Sequence, residues 1–92
     1  MEKQINDLTI FEDYRNRQVI LNYYNEEDFL WKRDGFTFIR VQVSETYLLF
    51  TKKNGSHITI EVKDFATAVI NSDFQNYYIF RNGQERLEIY FP

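Results

Sequence analysis

The stretch that decides the fold is NYYIFRNGQERLEIYFP, residues 76–92. Two aromatic-rich runs flank Asn82-Gly83, and Asn-Gly supplies the positive φ angles that a two-residue type I′ hairpin demands. A loop at Asn82-Gly83 sets Arg81 opposite Gln84, Phe80 opposite Glu85, Ile79 opposite Arg86 and Tyr78 opposite Leu87. Opposite residues share a face. One face then carries Tyr78, Phe80, Leu87, Ile89 and Phe91, which reads as core. The other carries Tyr77, Ile79, Arg81, Arg86, Glu88 and Tyr90, which is amphipathic. A one-residue slip would mix the sets, so the register is well specified. Pro92 lacks an N–H to extend a ladder and reads as blunting a sheet edge.

Working outward, Asn54-Gly55 and Asp34-Gly35 repeat the turn signal. At Asn54-Gly55, Thr51 faces Ile58, Leu49 faces Ile60 and Tyr47 faces Val62. The reverse side sets Lys52, Phe50 and Leu48 against His57, Thr59 and Glu61. In FTFIRVQV (residues 36–43), Phe36 and Phe38 point one way while Ile39, Val41 and Val43 point the other. A turn at Ser44-Glu45 brings Val41 to Leu48 and Ile39 to Phe50. Both faces are then apolar, as in a sheet covered on both sides or curled onto itself. LTIF (8–11) and QVILNYY (18–24) read as further strands joined through a charged turn at 14–17.

NEEDFLWKRDG (25–35) fits two forms. One is a hairpin turning at Asp34-Gly35. The other, which we favour, is a short helical turn capped by Asn25, with acids first and Lys32 and Arg33 last. DFATAVINS (64–72) is a second candidate for a short helix, with Asp64 at its cap and Phe65 and Val69 on one side. The expected architecture is mainly β: a single domain over 1–92, an antiparallel meander of six or seven strands closing into a barrel or two-layer sandwich, with one or two short helices.

Composition narrows the function. Ninety-two residues hold one core. No cysteine is present, so no disulfide or thiolate site exists. The first ten residues have no apolar signal-peptide core, and no run approaches the roughly 20 apolar residues of a membrane span. The chain reads as soluble and cytoplasmic, without a membrane partner. A net charge of −3 with mixed signs does not suggest a general nucleic-acid binder. The surplus of Asn, Ile, Lys, Phe and Tyr over Ala, Gly and Pro matches AT-rich codons, as in a low-GC bacterium or its phage.

Catalytic sets are scarce. His57 is the sole histidine, and it reads as a surface residue beside a turn. Without cysteine it cannot build a zinc site of the usual kind. Glu26, Glu27 and Asp28 are the densest carboxylates. They lack the spacing and glycine of a calcium loop and read as a solvated helix start. Three isolated glycines make no phosphate-binding loop. The expectation is no enzyme, no cofactor and no metal.

Aromatic residues make up 18% of the chain, more than a small interior takes. Tyr77, Arg81, Arg86, Tyr90 and Trp31 are the candidate interaction residues, because Tyr, Trp and Arg anchor protein interfaces. Next to an exposed strand edge they would suit a homodimer or a protein partner joined by strand addition. The alternative is a small barrel binding single-stranded RNA or DNA, with bases stacked on the tyrosines and arginines on phosphates.

Overall fold

In the computed structural model, which describes residues 2–26, 29–65 and 67–92, the chain forms one antiparallel sheet. Its strands are β1 (Glu2–Gln4), β2 (Arg17–Glu26), β3 (Phe29–Val43), β4 (Tyr47–Lys52), β5 (His57–Glu61), β6 (Thr67–Asn71), β7 (Tyr77–Asn82) and β8 (Glu85–Tyr90). Two 3-10 segments, Leu8–Asp13 and Val62–Asp64, interrupt them. The order across the sheet is β1-β6-β7-β8-β2-β3-β4-β5. Two meanders, β2–β5 and β6–β8, are therefore joined by the pairing of β2 with β8. Among the described residues β1 and β5 are the outer strands and do not pair with each other, so the sheet is open.

The terminal hairpin keeps its predicted faces but moves its turn. Asn82 pairs with Glu85, Phe80 with Leu87 and Tyr78 with Ile89. The loop is thus Gly83-Gln84, with Gly83 at φ 60°. Glycine at the first loop position is what a type II′ turn uses, and Asn82 is released into the strand. This shift preserves the side-chain parity, so Tyr78, Phe80, Leu87, Ile89 and Phe91 are all buried. The strand is not an edge: β8 is flanked by β7 and β2, and Pro92 lies beyond it, with its carbonyl accepting from Arg17 Nη2 at 2.9 Å.

The Asn54-Gly55 hairpin does change faces. Gly55, at φ 88°, donates to the Lys52 carbonyl at 2.9 Å, and Lys52 N–H donates to Ser56 at 2.8 Å. The loop has three residues, with glycine in the left-handed position. Phe50 consequently faces Ile58 and Leu48 faces Ile60. Leu48 and Phe50 are core, whereas Tyr47 and Leu49 turn outward, the reverse of the expectation. A single extra loop residue suffices, because side chains alternate with period two.

β3 resolves its two-faced pattern by a bulge. Phe38 pairs with Lys52, and Arg40 already pairs with Thr51, so Ile39 is an extra residue. The Ile39 carbonyl, freed from the ladder, accepts from Asn16 N–H at 3.1 Å. The bulge flips the parity and puts Phe36, Phe38, Val41 and Val43 on the core side. The turn that follows β3 is also displaced: Val43 pairs with Leu48, and Ser44 N–H donates to the Tyr47 carbonyl at 2.9 Å.

Three local expectations fail. Residues 8–11 are not a strand but belong to a 3-10 segment, which Asp7 caps by accepting from Thr9 N–H at 3.0 Å. That cap drops Phe11 into the core, fully buried. The described residues of 25–35 form no helical turn, and Glu27 and Asp28 lie outside the described residues. Asn25 and Glu26 end β2, and Phe29–Gly35 open β3, with Asp34 and Gly35 paired in mid-strand to Leu21 and Ile20. So short a helix is marginal alone, whereas a two-stranded arm lets Tyr23 pack on Trp31. In the third stretch, Thr67–Asn71 is a strand, as its β-branched Thr67, Val69 and Ile70 favour. Ala66 lies outside the described residues.

The core is aromatic, and Phe91 stands at its centre. Its ring stacks on Tyr14 at 3.8 Å and lies 5.8 Å from Phe38, 6.1 Å from Tyr78, 6.2 Å from Phe11 and 6.4 Å from Phe50. These rings come from both meanders and from the 3-10 segment, so one cluster joins the two halves of the sheet.

Candidate interaction surface

Tyr77, Arg81, Arg86 and Tyr90 share the sheet's outer face, as their parity requires. Tyr77 pairs with Tyr90, Ile79 with Glu88 and Arg81 with Arg86. The tyrosine pair and the arginine pair are four residues apart, about 13 Å along the strands. Between them Ile79 is 4% and Glu88 8% exposed. The face is therefore packed rather than an open platform. Tyr77 lies 6.1 Å from Tyr90 and 5.5 Å from Phe74 (ring centroids). Burial, reinforced by a hydrogen bond with Glu88, pushes its phenol well above the ordinary range.

The arginines are engaged with acids. Arg81 donates to Glu2 through both Nη atoms at 2.7 Å, and this bond holds the Glu2 carboxyl below its usual range. Arg86 Nε lies 3.1 Å from Glu88 Oε2, and its guanidinium sits 4.0 Å over the Tyr24 ring. Bidentate and stacked geometry is what arginine is suited to. Glu2 was not anticipated as a partner, because β1 reaches this face only through its pairing with β6.

Trp31 stands on an arm formed by β2 and the first half of β3, and of the other candidates it shares a hollow with Arg86. Its ring packs 5.6 Å from Tyr23, over which Lys32 Nζ sits at 5.0 Å. A bulge at Trp31, between the pairs Tyr23–Lys32 and Tyr24–Leu30, aims it there. With Tyr23, Phe65 and Arg86 it lines a hollow of about 90 Å³. That is well below the roughly 300 Å³ where small-molecule sites begin. Most of Trp31 is open instead: Phe29 is 61%, Leu30 43% and Trp31 54% exposed.

The arm has a second property. β4 begins to pair with β3 only at Phe38. Among the described residues, 29–37 therefore have β2 on one side and no strand on the other. Their outward N–H and C=O groups form a template for another strand. Sequence reasoning named Trp31 but missed Phe29, Leu30 and this edge. Reading Asp34-Gly35 as a boundary cut the long strand in two. The signal available was the set of aromatic and apolar residues on both sides of Gly35, Phe29–Trp31 before it and Phe36 and Phe38 after it.

The remaining candidates gather no chemistry. His57 is exposed, with Nδ1 3.2 Å from Thr51 Oγ1, and it shares a face with Thr51, not with Lys52. Of the carboxylate run, Glu26 is exposed, while Glu27 and Asp28 lie outside the described residues. Among the described residues no group of three or more metal-ligating side chains converges, and no helix is long and apolar enough to cross a membrane. No protein-family model, curated protein or solved structure matches the chain.

Proposed function

We propose that this chain is a non-catalytic, intracellular protein-interaction module, working as a small regulator, inhibitor or assembly component. Its contact is strand addition along β3. The observation that carries this reading is the outward edge of 29–37, without a partner strand among the described residues and ending in three exposed apolar side chains. Main-chain hydrogen bonds along such an edge supply affinity, and apolar anchors beside it supply specificity. On this reading the body is a partly rolled barrel whose outer face is packed shut. The arm is the part left to meet a partner.

Single-stranded RNA or DNA is the weaker alternative. It needs cations free to neutralise phosphates. Arg81 and Arg86 already face Glu2 and Glu88, and Ile79 interrupts the aromatic platform.

A photoreactive phenylalanine analogue at Phe29 tests the reading, with the same probe at exposed Lys53 as control. Protein adducts made by the Phe29 probe alone are the expected outcome. No protein adduct, or a salt-sensitive adduct with nucleic acid, would overturn it.

A further inference from the structure

We infer that the strand added to β3 is the β3 of a second copy of this chain, antiparallel about a two-fold axis at Arg33. This inference rests on reading that edge as an interaction surface. Two observations lead to the same register. The first is length. The open edge runs from Phe29 at the arm's start to Thr37, where β4 takes over. Its midpoint is residue 33. A copy centred there fills the whole opening, with its Phe29 end beside this chain's Thr37, and abuts β4 without displacing it.

The second observation is charge. A two-fold axis normal to a sheet sets residues of equal parity opposite one another, so an axis at Arg33 faces Lys32 with the copy's Asp34. Symmetry supplies that contact twice. Lys32, Arg33 and Asp34 lie in the regular part of β3, where pairing from Lys32–Tyr23 to Phe38–Arg17 runs without a shift. Cross-strand pairs of opposite charge favour a register, and like charges oppose it. Beyond Lys32 the bulge intervenes. The apolar Phe29–Trp31 end then lands beside the copy's Gly35–Thr37, where glycine leaves room for the indole. The axis brings the two Arg33 side chains together, a like-charge contact that the Lys32–Asp34 pairs outweigh.

Sedimentation of the intact chain across concentration tests this, with circular dichroism confirming that each variant folds. The wild-type chain is expected to dimerise reversibly. Lys32→Glu weakens the dimer at least about tenfold by setting acid against acid, a change of about 1.4 kcal/mol. K32E/D34K restores it, and Arg33→Ser tightens it. Amide exchange at 29–37 gives a reading independent of variants: it slows as the wild-type concentration rises. A chain that stays monomeric to about 1 mM, the limit of weak association, overturns the inference. So does a dimer indifferent to Lys32→Glu, or one whose edge amides are not protected. If the chain is monomeric yet a photoreactive Phe29 captures a different protein, the interaction reading stands and self-pairing falls. If it captures none, both fall.

Discussion

At the scale of single residues, burial separates side chains that hold the fold from those that face outward. Phe91 is 1% exposed, and it touches aromatic rings from both halves of the sheet. Phe91→Ala removes the ring from a packed cluster and should cost about 3–5 kcal/mol in a denaturant titration. Trp31→Ala, at a largely open position, should shift the same midpoint far less. Tyr78 gives a second test. Its phenol is pushed up mainly by burial, then by the hydroxyl of Tyr14. A raised tyrosine keeps its proton in the folded state while the unfolded chain loses it. The stabilisation is therefore fully present below the unfolded value of 10.0 and is lost as pH rises above it. The loss from this group is at most about 1.4 kcal/mol per pH unit. Tyr78→Phe should flatten the alkaline limb of a stability–pH profile. If it leaves the slope unchanged, burial of this phenol is not its source.

At the scale of elements, the same dipeptide signal has two meanings, and backbone angles decide between them. Gly83 has φ 60°, in the left-handed region, and turns the terminal hairpin. Gly35 has no positive φ and sits in mid-strand, where an added Cβ meets Val19 O at an ordinary 3.8 Å. Gly83→Ala should cost about 1–2 kcal/mol, whereas Gly35→Ala should be neutral or mildly stabilising, since glycine weakens a strand. Thermal melts of the two variants distinguish them. Equal losses would mean that Asp34-Gly35 is a turn after all. Hairpin faces were legible wherever the loop preserved parity, as at Gly83-Gln84. They were not legible at Asn54-Gly55, because a two- and a three-residue loop can share one glycine and differ by one step in register. The bulge at Ile39 was readable only as a contradiction, apolar residues on both faces of one strand.

At the scale of the whole molecule, β8 is the seam. Among the described residues its pairing with β2 is what hydrogen-bonds the β1-β6-β7 part of the sheet to β2–β5, and Leu87, Ile89 and Phe91 fill the core beneath. A chain ending at Gln84 should lack cooperative unfolding, with near-ultraviolet dichroism lost. Retained native packing there would refute the role given to β8. The sequence by itself determined a β-rich chain, the strands near Arg17–Glu26, Tyr47–Glu61 and Tyr77–Tyr90 in outline, and the inner set of the terminal hairpin. It also placed Tyr77, Arg81, Arg86 and Tyr90 on one face. These follow from local periodicity and turn chemistry, which act over a few residues. Tertiary structure decided what those features are for. Strand order placed the terminal strand inside the sheet instead of at its edge, and β1 brought Glu2 to Arg81. Where β4 stops, not anything in β3, leaves residues 29–37 open. An unpaired edge is a property of two strands' relative lengths, and no local pattern in either strand records it.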